Sequence, residues 1–136
     1  MPPAVTLIHS EQLSDAAEYA YAAIAPAGAR MVFLAGACPL EEDGTVAGEG
    51  NYAEQAAKCI HNMKIALHEA GASLQDVIST RVLVASTKQA DLVTAWQVVR
   101  DAFGVKSMPP STLMGETVLG YDNQLVEVEA IAALRS

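Results

Sequence analysis

PPSTLMGETVLGYDNQLVEVEAIAALRS, residues 109–136, is the stretch around which the fold is built. Its Pro-Pro start cannot lie inside a helix, and residues 112–119 favour an extended strand. The cluster Gly-Tyr-Asp-Asn at residues 120–123 is typical of a turn. Because a second extended run follows the turn, the simplest prediction is a hairpin of two paired strands.

The second run of this stretch alternates between two kinds of side chain. Successive residues of a strand point to opposite faces of a sheet. One predicted face carries Val126, Val128, Ala130 and Ala132, and the other carries Leu125, Glu127, Glu129 and Ile131. A face that mixes carboxylates with apolar residues suits water, a partner subunit or a ligand pocket better than a dry core. The alternative is that both glutamates are ordinary exposed strand residues.

Composition predicts a single domain over residues 1–136. With 51% hydrophobic residues, a chain of this length can bury one core but not two. The net charge is −8, and Lys and Arg are scattered, which argues against nucleic acid as a partner because phosphate backbones bind clustered positive charge.

The sequence also bears on location. No apolar run approaches the roughly 18 residues that a membrane span needs, and the N-terminus lacks the features of a signal peptide. Cys38 and Cys59 form no CxxC pair. We therefore expect a cytoplasmic protein with reduced thiols and no membrane partner.

Six strands and two helices are predicted along the chain. Asn51 with Glu54 three residues later fits a capping box, and Gly71 fits the end of that helix. Ser86 and Thr87 are predicted to cap the second helix, which Gly104 ends. The predicted strands are residues 4–9, 19–25, 30–35 (short, apolar and expected to be buried), 76–85, 112–119 and a last one from 125; the helices are 51–70 and 89–103.

Two helices cannot cover both faces of a six-stranded sheet. Right-handed crossovers would place both on one side, so we expect the other face to be bare. His61 and His68 lie seven residues apart on the first helix without Cys or carboxylate ligands at suitable spacing. The sequence therefore predicts no metal site and no cofactor.

Three segments resemble the Rid (YjgF, reactive intermediate deaminase) family. LVEVEAIAA at residues 125–133 is similar to its C-terminal signature, MVFLAGACPL at 31–40 to its LVFVSGQIPL stretch, and residues 51–85 to its helix, glycine and following strand. The resemblance implies an α+β, chorismate-mutase-like fold with a six-stranded mixed sheet and two helices on one face. It also implies a homotrimer that binds a small molecule in a cleft at each subunit junction.

The resemblance further implies roles for individual residues. Glu127 matches the catalytic glutamate thought to position water for attack on an imine carbon, and Glu116 matches the glutamate of the preceding strand. The pocket tyrosine matches either Tyr19 or Tyr21, and Gly36 matches the glycine of the SGQ motif.

Other family positions carry different residues here. Ala37 stands at the glutamine of the SGQ motif, and Trp96 replaces an asparagine on the second helix. Met114 falls two residues after the arginine that grips the substrate carboxylate. That arginine position is Thr112, so the resemblance predicts poor activity on α-imino acids.

Three functions follow as hypotheses. The first is a hydrolase of the imine or enamine deaminase type, acting on a small reactive metabolite with Glu127 as the base. The second is a non-catalytic trimeric protein that binds a small molecule or regulates through the same cleft. The third is a ribonuclease or translation-inhibiting activity, and the charge of the chain does not support a ribonuclease.

Overall fold

The computed structural model describes residues 2–136 and contains six strands and two helices. The strands are β1 (Thr6–Ile8), β2 (Ala22–Ile24), β3 (Arg30–Phe33), β4 (Val77–Ala85), β5 (Ser111–Glu116) and β6 (Val126–Leu134); the helices are α1 (Tyr52–Glu69) and α2 (Gln89–Phe103). Neither helix is long and apolar enough to cross a membrane.

The strands form two sheets. β3, β6, β4 and β5 make a four-stranded mixed sheet in that order, and β1 pairs with β2 in a separate antiparallel sheet. The predicted α+β fold with six strands and two helices is confirmed, but the single six-stranded sheet is divided within the chain. β1 and β2 have three residues each and satisfy one another's hydrogen bonds.

The predicted hairpin of the last two strands is wrong. β4 lies between β5 and β6, parallel to the first and antiparallel to the second. A parallel pair needs a long crossover, and α2 supplies it between β4 and β5. β5 ends at Glu116, so residues 117–125 form a loop to β6 and not a tight turn.

Both helices begin and end close to the predicted residues, but only α1 uses its predicted N-cap. The Asn51 side chain accepts a hydrogen bond from the Glu54 N–H at 2.9 Å, which satisfies one free donor of the first turn of α1. Gly71 follows α1 with φ of 81°, a left-handed conformation that costs glycine little. The predicted bounds of α2 are confirmed, although Ser86 hydrogen-bonds Asp91 and the Lys88 N–H instead of capping from the N-cap position.

Both helices pack on one face of the four-stranded sheet. The core joins Met63 and Leu67 of α1 and Val99 of α2 to Val126 and Val128 of β6, all at most 1% exposed. The alternation predicted for β6 is confirmed from Val126 to Ala132, because Val126, Val128, Ala130 and Ala132 are all buried; it ends at Ala133, which is buried as well.

The opposite face of this sheet, here called the open face, has no layer over it in the described chain. Glu127, Glu129 and Ile131 are half-buried there. The sequence predicted a buried β3, but Phe33 is 74% exposed and Met31 is 43% exposed. β3 is an edge strand, and no element of the described chain covers the face that carries Met31 and Phe33, so these two side chains stay largely in solvent. Val32, on the other face, packs against the core.

Candidate functional site

One group of predicted residues surrounds the carboxylate of Glu127. This carboxylate cluster consists of Gly36, Cys38, Gln124 and Glu127. Oε1 of Glu127 accepts a hydrogen bond from Gln124 Nε2 at 3.2 Å, and Cys38 Sγ lies 3.5 Å from the same oxygen. Glu127 and Gly36, both predicted site residues, therefore lie side by side.

Gly36 makes room for this carboxylate. A Cβ built at residue 36 would overlap the Glu127 side chain, so a larger residue would push the carboxylate away. The adjoining Ala37 is different, because its N–H and C=O both pair with Val128, at 2.7 and 3.0 Å. The Ala37 side chain is buried, which leaves this predicted ligand-binding residue no polar group for a ligand.

Gln124 is a member of the cluster that sequence reasoning missed. It is only 3% exposed, and its amide donates to the Val126 carbonyl as well as to Glu127. Its Oε1 accepts from the Tyr121 N–H, so every polar atom of the amide has a partner and its orientation is defined. The sequence did contain a signal for Gln124: it is a polar residue three positions before Glu127, just before an apolar strand.

Burial and the neighbouring carboxylate together favour the thiol form of Cys38. Burial first, and the negative charge of Glu127 second, raise the pKa of Cys38 from its ordinary value of 9.0 to about 11. The thiolate is the reactive form of cysteine, so Cys38 is a weak nucleophile at neutral pH. We therefore assign Cys38 a packing role beside Glu127 and not the role of a nucleophile.

A second group of predicted residues lines a separate depression. This aromatic hollow of about 660 Å³ is lined by Tyr19, Tyr21, Trp96 and Thr112, among others. The ring of Tyr19 meets those of Tyr21 and Trp96 edge-on, with centroids 5.8 and 6.1 Å apart. The predicted strand over residues 19–25 begins only at Ala22, and this frees both tyrosines to reach the hollow.

Trp96 is held by charged neighbours, one of which, Glu18, also lines the hollow. Its Nε1 donates to Glu18 at 3.1 Å, and Arg100 Nη1 donates to the other oxygen of Glu18 at 2.6 Å. Trp96 is 8% exposed, so it forms a rigid wall.

The two remaining predicted residues lie farther along β5. Met114 is half-buried on the open face and pairs in register with Leu83, which pairs with Glu127 on its other side. Glu116 lines a different depression, with Ser86 and Leu92, at the end of the strand. Neither belongs to the aromatic hollow.

One chain therefore keeps the carboxylate cluster apart from the aromatic hollow. Thr112 is on β5 and Glu127 is on β6, with β4 between them. Two strand spacings, about 10 Å, separate these strands, and Glu127 is displaced by two further residues along the sheet because it lies opposite Leu83 and Thr112 lies opposite Arg81. In the described part of the chain, no group of three or more His, Cys, Asp or Glu side chains is arranged to hold a metal ion.

Comparison with known proteins identifies the class. A profile of the family described as endoribonuclease L-PSP matches residues 10–134, nearly the whole chain. The chain belongs to this family, which is the Rid/YjgF family. A RutC family protein of Pyrococcus abyssi is 34% identical over 102 residues, covering 75% of this chain and 77% of that protein.

Solved structures agree on the fold. The conserved Rid protein YyfB of Yersinia pestis superposes with a TM-score of 0.85 at 24% identity, covering 96% of this chain and 99% of its own. A putative endoribonuclease L-PSP of Entamoeba histolytica gives a TM-score of 0.69 at 30% identity, with the same coverage of both chains. The family membership predicted from the sequence is thus confirmed.

Proposed function

We propose that this protein is a single Rid-type domain over residues 1–136 that hydrolyses a small reactive imine or enamine. Family membership supports a role in processing a small molecule. The observation that carries the proposal is the position of the Glu127 carboxylate. Gln124 orients it by a hydrogen bond, and it lies against Gly36, which has no side chain that could block a ligand.

The chemistry needs one water and one base. Glu127 accepts a proton from water as the water oxygen bonds to the C=N carbon, and the same proton is passed on to the imine nitrogen, which gives a carbinolamine. The hydroxyl proton of the carbinolamine then moves to its amino nitrogen through Glu127, the C–N bond breaks, and ammonia leaves a carbonyl product, so that imine and water give a carbonyl compound and ammonia and the carboxylate is restored. A positioned general base contributes typically about 10²- to 10⁴-fold to such a step.

We propose a homotrimer as the active form. Phe33 and Met31 expose apolar surface on the open face, and a closed trimer would bury such surface three times over. In this arrangement the aromatic hollow of one subunit meets the carboxylate cluster of the next, forming an intersubunit cleft. Cys38 and Cys59 are free thiols, which supports a reducing, cytoplasmic location.

With Thr112 at this position, β5 offers no cation that could bind a carboxylate of the substrate. A threonine cannot pair with a carboxylate as a guanidinium does, so any carboxylate on the substrate must be bound from another strand. A small imine without a carboxylate needs no such partner. No metal or other cofactor takes part in the proposed reaction.

Ammonia release tests the proposal. Imines are generated in place from amines by an amine oxidase and from amino acids by an amino-acid oxidase, and the protein is then added. We expect faster ammonia release from at least one imine, with the gain lost in Glu127→Gln and kept in Glu69→Gln, a matched change at the exposed end of α1. If no imine responds, or Glu127→Gln remains active, the hydrolase proposal is wrong.

A second candidate is a non-catalytic binding protein that uses the same cleft. Residue 112 is a threonine and not a cation, and this favours the binding protein. A protein that only binds its ligand does not need every residue that catalysis uses in the family. Saturable binding of a metabolite without ammonia release would support this alternative. The ribonuclease activity in the family's name has no support in a chain with a net charge of −8.

A further inference from the structure

Strand register places a cation beside Thr112. Arg81 of β4 lies opposite Thr112 on β5 and opposite Glu129 on β6. Residues directly opposite on neighbouring strands project from the same face, so Arg81 stands on the open face between the two. Neighbouring strands are about 4.8 Å apart, a distance that an arginine side chain spans.

The other arginines of the described chain are less suited to bind a ligand in the cleft. Arg30, the only other cation in the four-stranded sheet, pairs with Leu134 at the opposite end of β6 from Glu127. Arg100 is already bound to Glu18 and to Asp101, at 2.6 and 3.0 Å. Arg135 donates to the Pro3 carbonyl, beyond the end of β6.

Arg81 keeps most of its hydrogen-bonding capacity free. Its Nε donates to Glu129 Oε1 at 2.5 Å, while Nη1 and Nη2 donate to no other described residue. A guanidinium has five N–H donors in a fixed planar fork, and the edge formed by the two Nη atoms matches the two oxygens of a carboxylate. The Arg81 side chain is 55% exposed, so a small ligand can reach that edge.

We propose that Arg81 binds the carboxylate of a small anionic ligand in the cleft, doing from β4 what Thr112 cannot do from β5, with Glu129 as the residue that positions its guanidinium. This rests on the proposed function, since it names the substrate class of the same cleft. Small monocarboxylates, α-imino acids among them, become expected ligands. Thr112 alone had led us to expect poor activity on α-imino acids.

Equilibrium binding tests this without requiring turnover. The probes are 2-oxobutanoate and its neutral amide, 2-oxobutanamide, which have nearly the same shape, titrated into the protein by calorimetry. We expect the wild-type protein to bind the acid about 10- to 100-fold more tightly than the amide, as suits a two-point charged contact. Arg81→Gln should remove this preference while leaving the amide's affinity unchanged.

Two further variants sharpen the test. Arg81→Lys keeps the charge but loses the planar fork, so the preference should fall to an intermediate value. In the double variant Arg81→Gln/Thr112→Arg, a guanidinium returns one strand away, and the preference for the acid should return with it. Arg81→Lys also decides the matter if Arg81→Gln fails to fold.

Several results would overturn the assignment. These are equal binding of acid and amide by the wild-type protein, no binding of either, or a preference that survives both Arg81→Gln and Arg81→Lys. The outcome is independent of the hydrolase test. Acid binding through Arg81 without ammonia release refutes only hydrolysis, and turnover of an imine without acid preference refutes only the role of Arg81.

Discussion

The two faces of β6 differ in almost every physical respect. On one face, Val126 and Val128 are fully buried under the helices and carry no polar group. On the other face, Glu127 and Glu129 stand half-buried with Gln124 and Arg81 as their hydrogen-bond partners. Nine consecutive residues thus serve a core and a polar surface at the same time.

This difference indicates that stability and chemistry depend on separate sets of residues. Changes beneath the helices should lower the free energy of unfolding without altering how the open face binds. Changes on the open face should alter binding, turnover or assembly and leave the fold intact. Each prediction below tests one side of this separation, in order of decreasing expected effect.

The largest effect is expected at Glu127. Replacing its carboxylate in Glu127→Gln removes the base but keeps the shape and a hydrogen-bond acceptor, so turnover of a responsive imine should fall about 10²- to 10⁴-fold. The free energy of unfolding, measured in urea, should change by less than about 1 kcal/mol, because the side-chain oxygen of glutamine can still accept the hydrogen bond from Gln124. A large loss of stability would show that Glu127 is structural.

The matching change on the covered face is Met63→Ala. Met63 is 1% exposed in the core between α1 and the sheet, and its truncation leaves a cavity. We expect a loss of about 2–5 kcal/mol in the free energy of unfolding. At a temperature where the variant remains folded, the catalytic constants of a responsive imine should be unchanged.

Assembly should depend on the apolar part of the open face. A charge at Phe33, which is 74% exposed, would have to be desolvated in the proposed trimer. Light scattering should give a trimer at micromolar concentration for the wild-type protein and smaller species for Phe33→Asp. Ile65→Asp, on a helix position that is 48% exposed and lies away from the sheet, is the control and should remain trimeric.

A wild-type monomer at micromolar concentration would contradict the trimer. It would also contradict the proposed intersubunit cleft, because in a single chain Thr112 and Glu127 lie on strands that β4 separates.

The smallest effect concerns the thiol of Cys38. With its pKa raised from 9.0 to about 11, this cysteine should hold roughly 100-fold less thiolate at pH 8 than an unperturbed thiol, and it should react with iodoacetamide about 10-fold more slowly because a more basic thiolate is also more nucleophilic. Glu127→Gln removes the second cause of the rise, so it should lower the pKa and speed alkylation. Because burial is the larger cause, the pKa should stay above 9.0 in that variant. A rate equal to that of a free thiol would place Cys38 outside the cluster.

The raised pKa also has a consequence for stability. The folded chain holds the Cys38 proton more tightly than the unfolded chain does, so this contribution is fully present below pH 9. It is lost as the pH rises through about 11, and an alkaline unfolding titration of the wild-type protein should show the decline.

Local signals were enough to predict the helices. Asn51 precedes the start of α1 and Gly104 follows the end of α2. Whether a residue can begin or end a helix depends only on residues near it in the sequence. The alternation of β6 was also local, and it identified the covered face correctly. The turn-forming residues 120–123 were misleading because a turn does not determine whether its flanking strands pair.

The candidate site was only partly visible in the sequence. The resemblance supplied Glu127 and Gly36, which the fold brings together. The sequence left Arg30 and Arg81 as equal candidates for a cation in the cleft. It could not place Arg81 beside Thr112, because that neighbour is fixed by the register between residues 31 positions apart in the chain. The exposure of Phe33 was missed for a related reason, since a short apolar run does not reveal whether another layer covers it.

The central claim is that each site is completed by two subunits, and mixed trimers test it most directly. Glu127→Gln disables the carboxylate cluster, and Thr112→Trp fills the aromatic hollow from an exposed position, so each variant should be inactive alone. Refolding the two together in equal amounts should restore about a quarter of the wild-type ammonia release, because random mixing pairs an intact cluster with an intact hollow in that share of junctions. Trimers that mix freely and yet remain inactive would contradict the account.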